Sequence, residues 1–202
     1  MTVDTARGLQ SHRRDRVRES VLVAFRSAHF VRRFFGSLFA GRVSADELAW
    51  VEAQLTAEEW RLWQRMGRID RVESVAVARR AAAQLPAELG EDHPWLAAAL
   101  LHDIGKRDSG FGTFRRSAAQ LMGSMAGRSA GAAWMESSGQ MRRVGIYLNH
   151  AAVGSTAIAV AGGRPEVAAW AKVHHDPAGW AGAGVPGPIA RVLAAADGET
   201  VR

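Results

Sequence analysis

Apolar residues recur along the chain at the three- and four-residue spacing of helices, and no stretch alternates convincingly as a strand does. Three stretches open on Ser, Thr or Asp with Glu three residues later, the pattern of a capping box that starts a helix. The helices predicted from these boxes run from Ser44 to Leu55, from Thr56 to about Met66, and from Val72 to Leu85 after Asp70. The pattern predicts an all-α domain.

Proline and glycine divide the rest of the chain into further predicted helices. Pro94 lies in the first turn of a helix that leads into the pair His102-Asp103, and Gly105 is predicted to end it. Other helices are predicted over residues 114–125, 135–149, 153–161, 165–175 and 189–196. Most tryptophans fall on predicted helices and are predicted to enter the core, with Trp180, in a Gly/Pro-rich loop, as the exception.

Length and composition narrow the class of protein. A chain of 202 residues supports one domain with a sizeable core. It has no cysteine, which excludes disulfides, thiolate zinc sites and cysteine nucleophiles, and fits a cytoplasmic location. Arginines interrupt the apolar stretch at residues 21–41, so it lacks the roughly 20 apolar residues of a membrane span.

The positive charge is concentrated at the N-terminus. Residues 1–42 hold nine arginines against three acidic residues, which accounts for the whole net charge of +6. We therefore predict a basic N-terminal helical extension over residues 1–42 and a second domain over residues 43–202. Such an extension suits an anionic partner or membrane surface, or a second copy in a homodimer, and the alternative is a solvated basic tail.

Histidine and aspartate form the candidate chemistry of the chain. Four of its seven histidines belong to a spaced set made of His102-Asp103, His150, the pair His174-His175, and Asp197. Imidazole and carboxylate together suit a divalent transition metal such as Mn, Fe, Co, Ni or Zn. An adjacent His-Asp pair lets one short segment reach two metals, with the carboxylate bridging. The set therefore predicts metal-dependent chemistry.

Four segments in order, LLHDIGK, NHAAVGSTAI, AKVHHD and ARVLAAAD, resemble the HD-domain superfamily of metal-dependent phosphohydrolases. The resemblance is closest to the HDIG branch and the related HD-GYP branch. It covers about residues 68–198, with the metal motifs within residues 70–198. It implies an HD-domain helical bundle that hydrolyses a phosphomonoester or phosphodiester by a metal-activated water. A phosphorylated small molecule, a nucleotide or cyclic nucleotide, is the implied substrate class.

The resemblance also implies roles for individual residues. We expect two metal ions bridged by Asp103. The first would be held by His102, Asp103, Asp197 and Glu73, and the second by Asp103, His150 and His174. Asp103, Lys106 and His175 are the expected catalytic residues, and Lys106, Arg115 and Arg116 the expected substrate-binding residues. The alternative for Lys106 is a cation that favours a helix C-terminus.

Two departures from the family pattern bear on activity. Where the family has a D-x-x-H-S setting, this chain has Asp70 to Ser74 with Glu73 in place of the histidine. Glu73 either ligates a metal or is only the third helical residue of a capping box on Asp70. The GYP signature is also missing, which disfavours cyclic di-GMP as substrate. Two alternatives follow: a degenerate HD module that binds nucleotide or metal without turnover, or an HD-type di-iron oxygenase.

Overall fold

The computed structural model describes residues 41–89, 93–109 and 133–198. The chain divides into two units, Met1–Ala40 and Gly41–Arg202, and the first lies outside the described residues. The predicted N-terminal helical extension and the helix at 114–125 therefore fall outside the description. Within the described ranges the regular structure is helical and contains no strand, which confirms the all-α class.

The α-helices of the described residues are numbered here in chain order. They are α1 (Ala45–Gln54), α2 (Ala57–Gln64), α3 (Arg68–Ala82), α4 (Trp95–Leu101), α5 (Gly139–Leu148), α6 (His150–Val160), α7 (Pro165–Val173) and α8 (Gly187–Asp197). The part of the chain that the structure describes also contains the short 3-10 helices Ala87–Leu89, Ile104–Ser109 and Pro177–Gly179.

The first two capping boxes form as the sequence predicts. Ser44 Oγ accepts from the backbone N–H of Glu47 at 3.2 Å, and Glu47 Oε2 accepts from the N–H of Ser44 at 2.8 Å. Thr56 and Glu59 repeat this exchange at the start of α2, at 3.3 and 3.0 Å. Each box satisfies backbone donors that the first turn of a helix leaves unpaired, which is why these two starts can be read from local sequence.

The third predicted box is wrong. Helix α3 begins at Arg68 with Gly67 as its N-cap, so Asp70 lies inside the first turn instead of preceding the helix. Glycine offers no side chain for capping, and the start therefore leaves no box pattern in the sequence. Glu73 is consequently in the second turn, which removes the interpretation of that residue as part of a capping box.

Helix α4 is the centre of the domain. Six of its seven residues are buried, and it contacts α1, α2, α3, α7 and α8. A helix that is apolar on every side is stable only when other elements surround it. Its C-terminal end therefore delivers the next two residues, His102 and Asp103, into the interior of the bundle.

Several predicted boundaries change in the structure. Helix α4 ends at Leu101, and Gly105 lies within the 3-10 helix Ile104–Ser109 instead of ending α4. The helix predicted over 135–149 begins at Gly139, and the next one begins at His150 instead of Val153. Trp180 is buried, contrary to prediction, and its indole donates to the carbonyl of Val173 at 3.1 Å.

Candidate metal centre

Three buried histidines lie at helix ends with the same local arrangement. His102 and His174 directly follow α4 and α7, and His150 is the first residue of α6, separated from α5 by Asn149. In each, Nδ1 is 2.8 Å from the backbone carbonyl three residues earlier: Ala99, Tyr147 and Ala171 respectively. A carbonyl only accepts, so each Nδ1 carries the hydrogen, and a ring that is neutral keeps its lone pair on Nε2.

Asp103 lies between these three rings. Its Oδ1 is 3.3 Å from Nε2 of His150 and 3.8 Å from Nε2 of His174. Its Oδ2 is 3.3 Å from Nε2 of His102, and the ammonium of Lys106 forms an ion pair with the same oxygen. The carboxylate thus presents one oxygen to two imidazoles and the other to an imidazole and a lysine.

His175 completes a group of four ligand atoms. Its ring is exposed, and its Nε2 lies 3.2 Å from Nε2 of His150. One ligand atom from each of Asp103, His150, His174 and His175 lies within 4.8 Å of the others. Three of these side chains are buried and one reaches solvent, so the group has a protected interior and an open side.

Asp197 approaches the cluster from the end of α8. Its Oδ1 is 3.6 Å from Nε2 of His102. The helix stops at this residue because Gly198 adopts a left-handed conformation with φ of 87°. From α3, Arg80 donates to the carbonyl of Ala196 at 2.7 Å. This contact ties the end of α8 to α3 one residue before Asp197.

Burial and the carboxylates set the charge states around the cluster. Burial lowers the pKa of His150 and holds that of His174 well below its usual value. Burial also lowers the pKa of His102, but Asp103 and Asp197 raise it more. Burial raises the pKa of Asp103, yet Lys106 and His102 bring it well below its usual value. His150 and His174 are therefore neutral and Asp103 is ionised.

The donor set fits a divalent transition metal. His102 Nε2, His174 Nε2 and Asp103 Oδ1 are buried and make no hydrogen bond. The lone pairs of His150 and His174 converge on Asp103 Oδ1 at 3.3 and 3.8 Å, and such groups repel one another unless they share a cation. Buried polar atoms are otherwise almost always hydrogen-bonded. Neutral imidazole and carboxylate are ligands that such metals accept. The carbonyls that hold each Nδ1 provide the outer support that metal-binding histidines usually have.

The other predicted site residues that the structure describes, Glu73 and Lys106, are not among the four ligand groups. Glu73 is half-buried on α3 and lies outside the four-residue group, so its role as a ligand stays a prediction. Lys106 is largely buried, and burial lowers its pKa while Asp103 raises it more, so the ammonium remains charged. Arg115 and Arg116 lie outside the described residues.

Supporting residues that the sequence did not reveal hold these side chains in place. A β carbon on Gly105 would overlap the carbonyl oxygen of His150 and lie 2.6 Å from the backbone nitrogen of Gly154. The 3-10 helix after Asp103 can therefore approach α6 only with glycine at this position. The glycine in the HDIG sequence signals this close contact instead of the end of a helix.

Ser74, the last residue of the D-x-x-H-S setting, has a structural role. Its hydroxyl accepts from the indole N–H of Trp63 and donates to the carbonyl of Arg71, both at 2.9 Å. Both side chains are almost fully buried. The serine therefore joins α2 to α3 inside the core.

Comparison with protein families identifies the family of this chain. A family profile described as "HD domain" matches residues 74–200, which is more than half of the chain. Comparison with curated proteins finds no match, and comparison with solved structures finds none either. Among the helices that the structure describes, none is long and apolar enough to cross a membrane. The matched range contains every described residue of the histidine–aspartate cluster, and the chain therefore belongs to the HD-domain family.

Proposed function

We propose that this protein is a metal-dependent phosphohydrolase that hydrolyses a phosphomonoester or phosphodiester. The observation that carries the proposal is the buried carboxylate of Asp103, whose unpartnered Oδ1 faces the lone pairs of His150 and His174. Members of the HD-domain family are generally metal-dependent phosphohydrolases. A nucleotide or cyclic nucleotide is the substrate class that the resemblance of the motifs implies.

The chain supplies histidine ligands whose orientation is fixed, and a lysine ammonium beside the carboxylate of Asp103. When bound, a divalent transition metal polarises a phosphoryl oxygen and lowers the pKa of water. His150 and His174 keep their lone pairs directed inward because backbone carbonyls hold their Nδ1 hydrogens. Lys106 adds a fixed positive charge beside Asp103, in the position to offset negative charge that grows at phosphorus.

His175 is the residue of the group best placed to meet a substrate. It is exposed, whereas Asp103, His150 and His174 are buried. Because Nε2 of His150 has only a lone pair, Nε2 of His175 is the donor in their 3.2 Å contact. In this role the exposed ring of His175 lies at the open side of the site, where it can contact a substrate.

The N-terminal extension carries a separate proposal about partners. Its nine arginines would bind an anionic partner or membrane surface, or would dock on a second copy of the chain. Deleting residues 1–20 should then abolish binding to anionic vesicles or nucleic acid, and binding by the intact chain should weaken as salt is raised.

The test of the main proposal is hydrolysis by the full chain purified without chelator. We expect p-nitrophenyl phosphate or bis-p-nitrophenyl phosphate to be cleaved with added Mn²⁺, and cleavage to stop after chelation and in Asp103→Asn. The asparagine keeps the side-chain shape but removes the negative charge, and Lys172→Met serves as a control in the chain's other lysine.

The outcomes separate the alternatives. Metal binding without cleavage of either ester or of a nucleotide panel would contradict the proposal and support a module that binds without turnover. Oxygen consumption by the iron-loaded protein, absent in Asp103→Asn, would instead support an HD-type oxygenase.

A further inference from the structure

Trp180 joins the loop after the pair His174-His175 to the end of α7. Its side chain is buried, although the loop around it is rich in glycine and proline. The indole N–H donates to the backbone carbonyl of Val173 at 3.1 Å, and the backbone carbonyl of Trp180 accepts from the N–H of Val185 at 3.1 Å. The residue therefore fixes both the helix end before it and the loop after it.

The carbonyl of Val173 lies where α7 stops, directly before the two histidines. In a continuing helix it would accept from the residue four positions later, but that residue is Pro177, which has no N–H. The carbonyl instead accepts from the N–H of Asp176 at 2.7 Å and from the indole of Trp180. The indole thus takes the place of the donor that proline removes, and both lone pairs of the carbonyl are used.

Aromatic contacts continue from Trp180 to the ring of His174. The centroid of the Trp170 ring lies 6.1 Å from that of Trp180 and 6.3 Å from that of His174. Trp170 and His174 are both buried. A shift of Trp180 would therefore reach His174 by two routes, through the end of α7 and through the ring of Trp170.

We propose that Trp180 is a positioning residue of the metal centre, which holds the turn that carries His174 and His175. It acts through the carbonyl of Val173 and the ring of Trp170, and not as a ligand. This inference rests on the metal dependence in the proposed function and deepens it, because it assigns control of metal affinity to a residue in the loop after the ligands.

The two histidines face different groups, so the position of their turn matters for both. Nε2 of His174 lies 3.8 Å from Oδ1 of Asp103, whereas Nε2 of His175 lies 3.2 Å from Nε2 of His150. Metal–ligand distances vary by only about 0.2 Å, and a site that is about 1 Å too loose fails. If the turn relaxed, both ligand atoms would move together, because both residues lie on it.

Core packing is the competing role for a buried tryptophan. A residue that only fills the core would change the free energy of unfolding and leave the ligand geometry of the metal as it is. A positioning residue changes that geometry even when the fold is intact. The visible absorption of bound Co²⁺ distinguishes the two roles, because it depends on the number and arrangement of the ligands.

The test is a titration of the full metal-free chain with Co²⁺, followed by visible absorption. Trp180→Phe keeps an aromatic ring and removes the indole N–H. We expect its affinity for Co²⁺ to fall by about tenfold or more, with a changed spectrum, because outer contacts of ligating histidines contribute this much. A second variant carries 3-benzothienylalanine in place of Trp180, which keeps the shape of the indole and replaces its N–H with sulfur. It should show the same loss without leaving a cavity.

Trp95→Phe is the matched control. Trp95 is 7% exposed, against 6% for Trp180, and it begins α4 at the opposite end of that helix from His102. Its replacement removes the same atoms from the core and should leave the Co²⁺ affinity and spectrum unchanged. Unchanged affinity and spectrum in the two variants at position 180, or an equal loss in Trp95→Phe, would overturn the inference.

The inference and the proposed function fail separately. Loss of Co²⁺ affinity at position 180, in a protein whose wild type cleaves no phosphoester, would leave the inference standing and remove the hydrolase function. Phosphoester cleavage by the wild type, with unchanged Co²⁺ binding in both variants, would remove the inference and leave the function. A wild type that binds no Co²⁺ would overturn both.

Discussion

Gly105 lies directly against the backbone of His150. A β carbon at residue 105 would overlap the carbonyl oxygen of His150, and one at Gly154 would lie 3.0 Å from the nitrogen of Gly105. The contact joins the segment that carries Asp103 to the helix that carries a facing imidazole. The distance of 3.3 Å from Asp103 Oδ1 to His150 Nε2 therefore depends on the absence of a side chain at Gly105.

Gly105→Ala tests this relationship. The added methyl must move backbone, which is costlier than moving a flexible side chain, so we expect a loss of stability of about 1–3 kcal/mol. Metal affinity should fall as well, because His150 moves away from Asp103. Urea unfolding and Mn²⁺ titration measure the two effects.

A suitable control is Gly182→Ala. Gly182 is exposed. A β carbon added there would lie 3.7 Å from the carbonyl oxygen of Gly179, which is an ordinary van der Waals contact. Unchanged stability and Mn²⁺ affinity in Gly105→Ala would show that the close approach does not position His150.

The comparison of Gly67 with Ser44 shows what local sequence can predict. Ser44 and Glu47 satisfy each other's backbone donors within four residues, so the start of α1 is visible in the sequence. Gly67 caps α3 without a side chain, and the nearby Asp70 imitates a cap that does not form. Local chemistry thus predicts a boundary only when the local groups themselves make the bonds.

The same limit applies to the site. The order of His102-Asp103, His150, His174-His175 and Asp197 marks candidate ligands because each is a suitable residue type in a family pattern. That one oxygen of Asp103 faces His150 and His174, and that His175 joins His150, depend on contacts between helices distant in sequence. Those contacts are set by the packing around α4, and no motif spacing encodes them.

Glu59→Gln should destabilise the domain. Glu59 is fully buried, and its Oε2 lies 2.7 Å from Nη2 of Arg164, whose side chain is 27% exposed. Loss of the charge leaves the guanidinium poorly paired, and we expect a cost of about 3 kcal/mol or somewhat less. Urea unfolding at neutral pH measures it. Glu58→Gln, on an exposed neighbour that pairs with Arg61, should leave stability unchanged.

The Glu59–Arg164 pair also makes the free energy of unfolding depend on pH. Burial raises the pKa of Glu59, but hydrogen bonds from Arg164 and Thr56 lower it more, so it lies below its usual value. A lowered folded-state pKa gives stabilisation that is complete above the unfolded-state pKa and is lost as pH falls through the folded-state pKa. Unfolding free energies measured from about pH 6 downward should therefore fall less steeply in Glu59→Gln. Parallel curves for the two proteins would contradict this.

Ser74→Ala should leave the indole N–H of Trp63 without a partner in the core. Trp63 and Ser74 are both almost fully buried, and no water replaces a hydroxyl easily in such a place. An unsatisfied buried donor costs about 1–3 kcal/mol. Thermal unfolding measures the loss, and Ser137→Ala, which removes an exposed hydroxyl, should stay within about 0.5 kcal/mol. Equal effects of the two substitutions would show that the buried bond adds nothing specific.

Arg80→Ala should weaken metal binding more than it weakens the fold. Arg80 donates to the carbonyl of Ala196, next to Asp197, and Asp197 contacts His102, which in turn contacts Asp103. One hydrogen bond of this kind contributes about 1 kcal/mol to stability. Loosening the end of α8 releases His102, and the affinity for Mn²⁺ should fall by up to about tenfold.

Two control variants, Arg80→Lys and Arg191→Ala, distinguish loss of the contact with Ala196 from loss of positive charge. Lysine can still donate to the Ala196 carbonyl and should recover part of the affinity, whereas Arg191 is exposed on α8 and its loss should change nothing. If Arg80→Ala and Arg191→Ala lower the Mn²⁺ affinity equally, the effect comes from net charge. If only Arg80→Ala lowers it, and lysine restores it, the contact with α8 positions Asp197 and, through His102, the carboxylate that faces the metal.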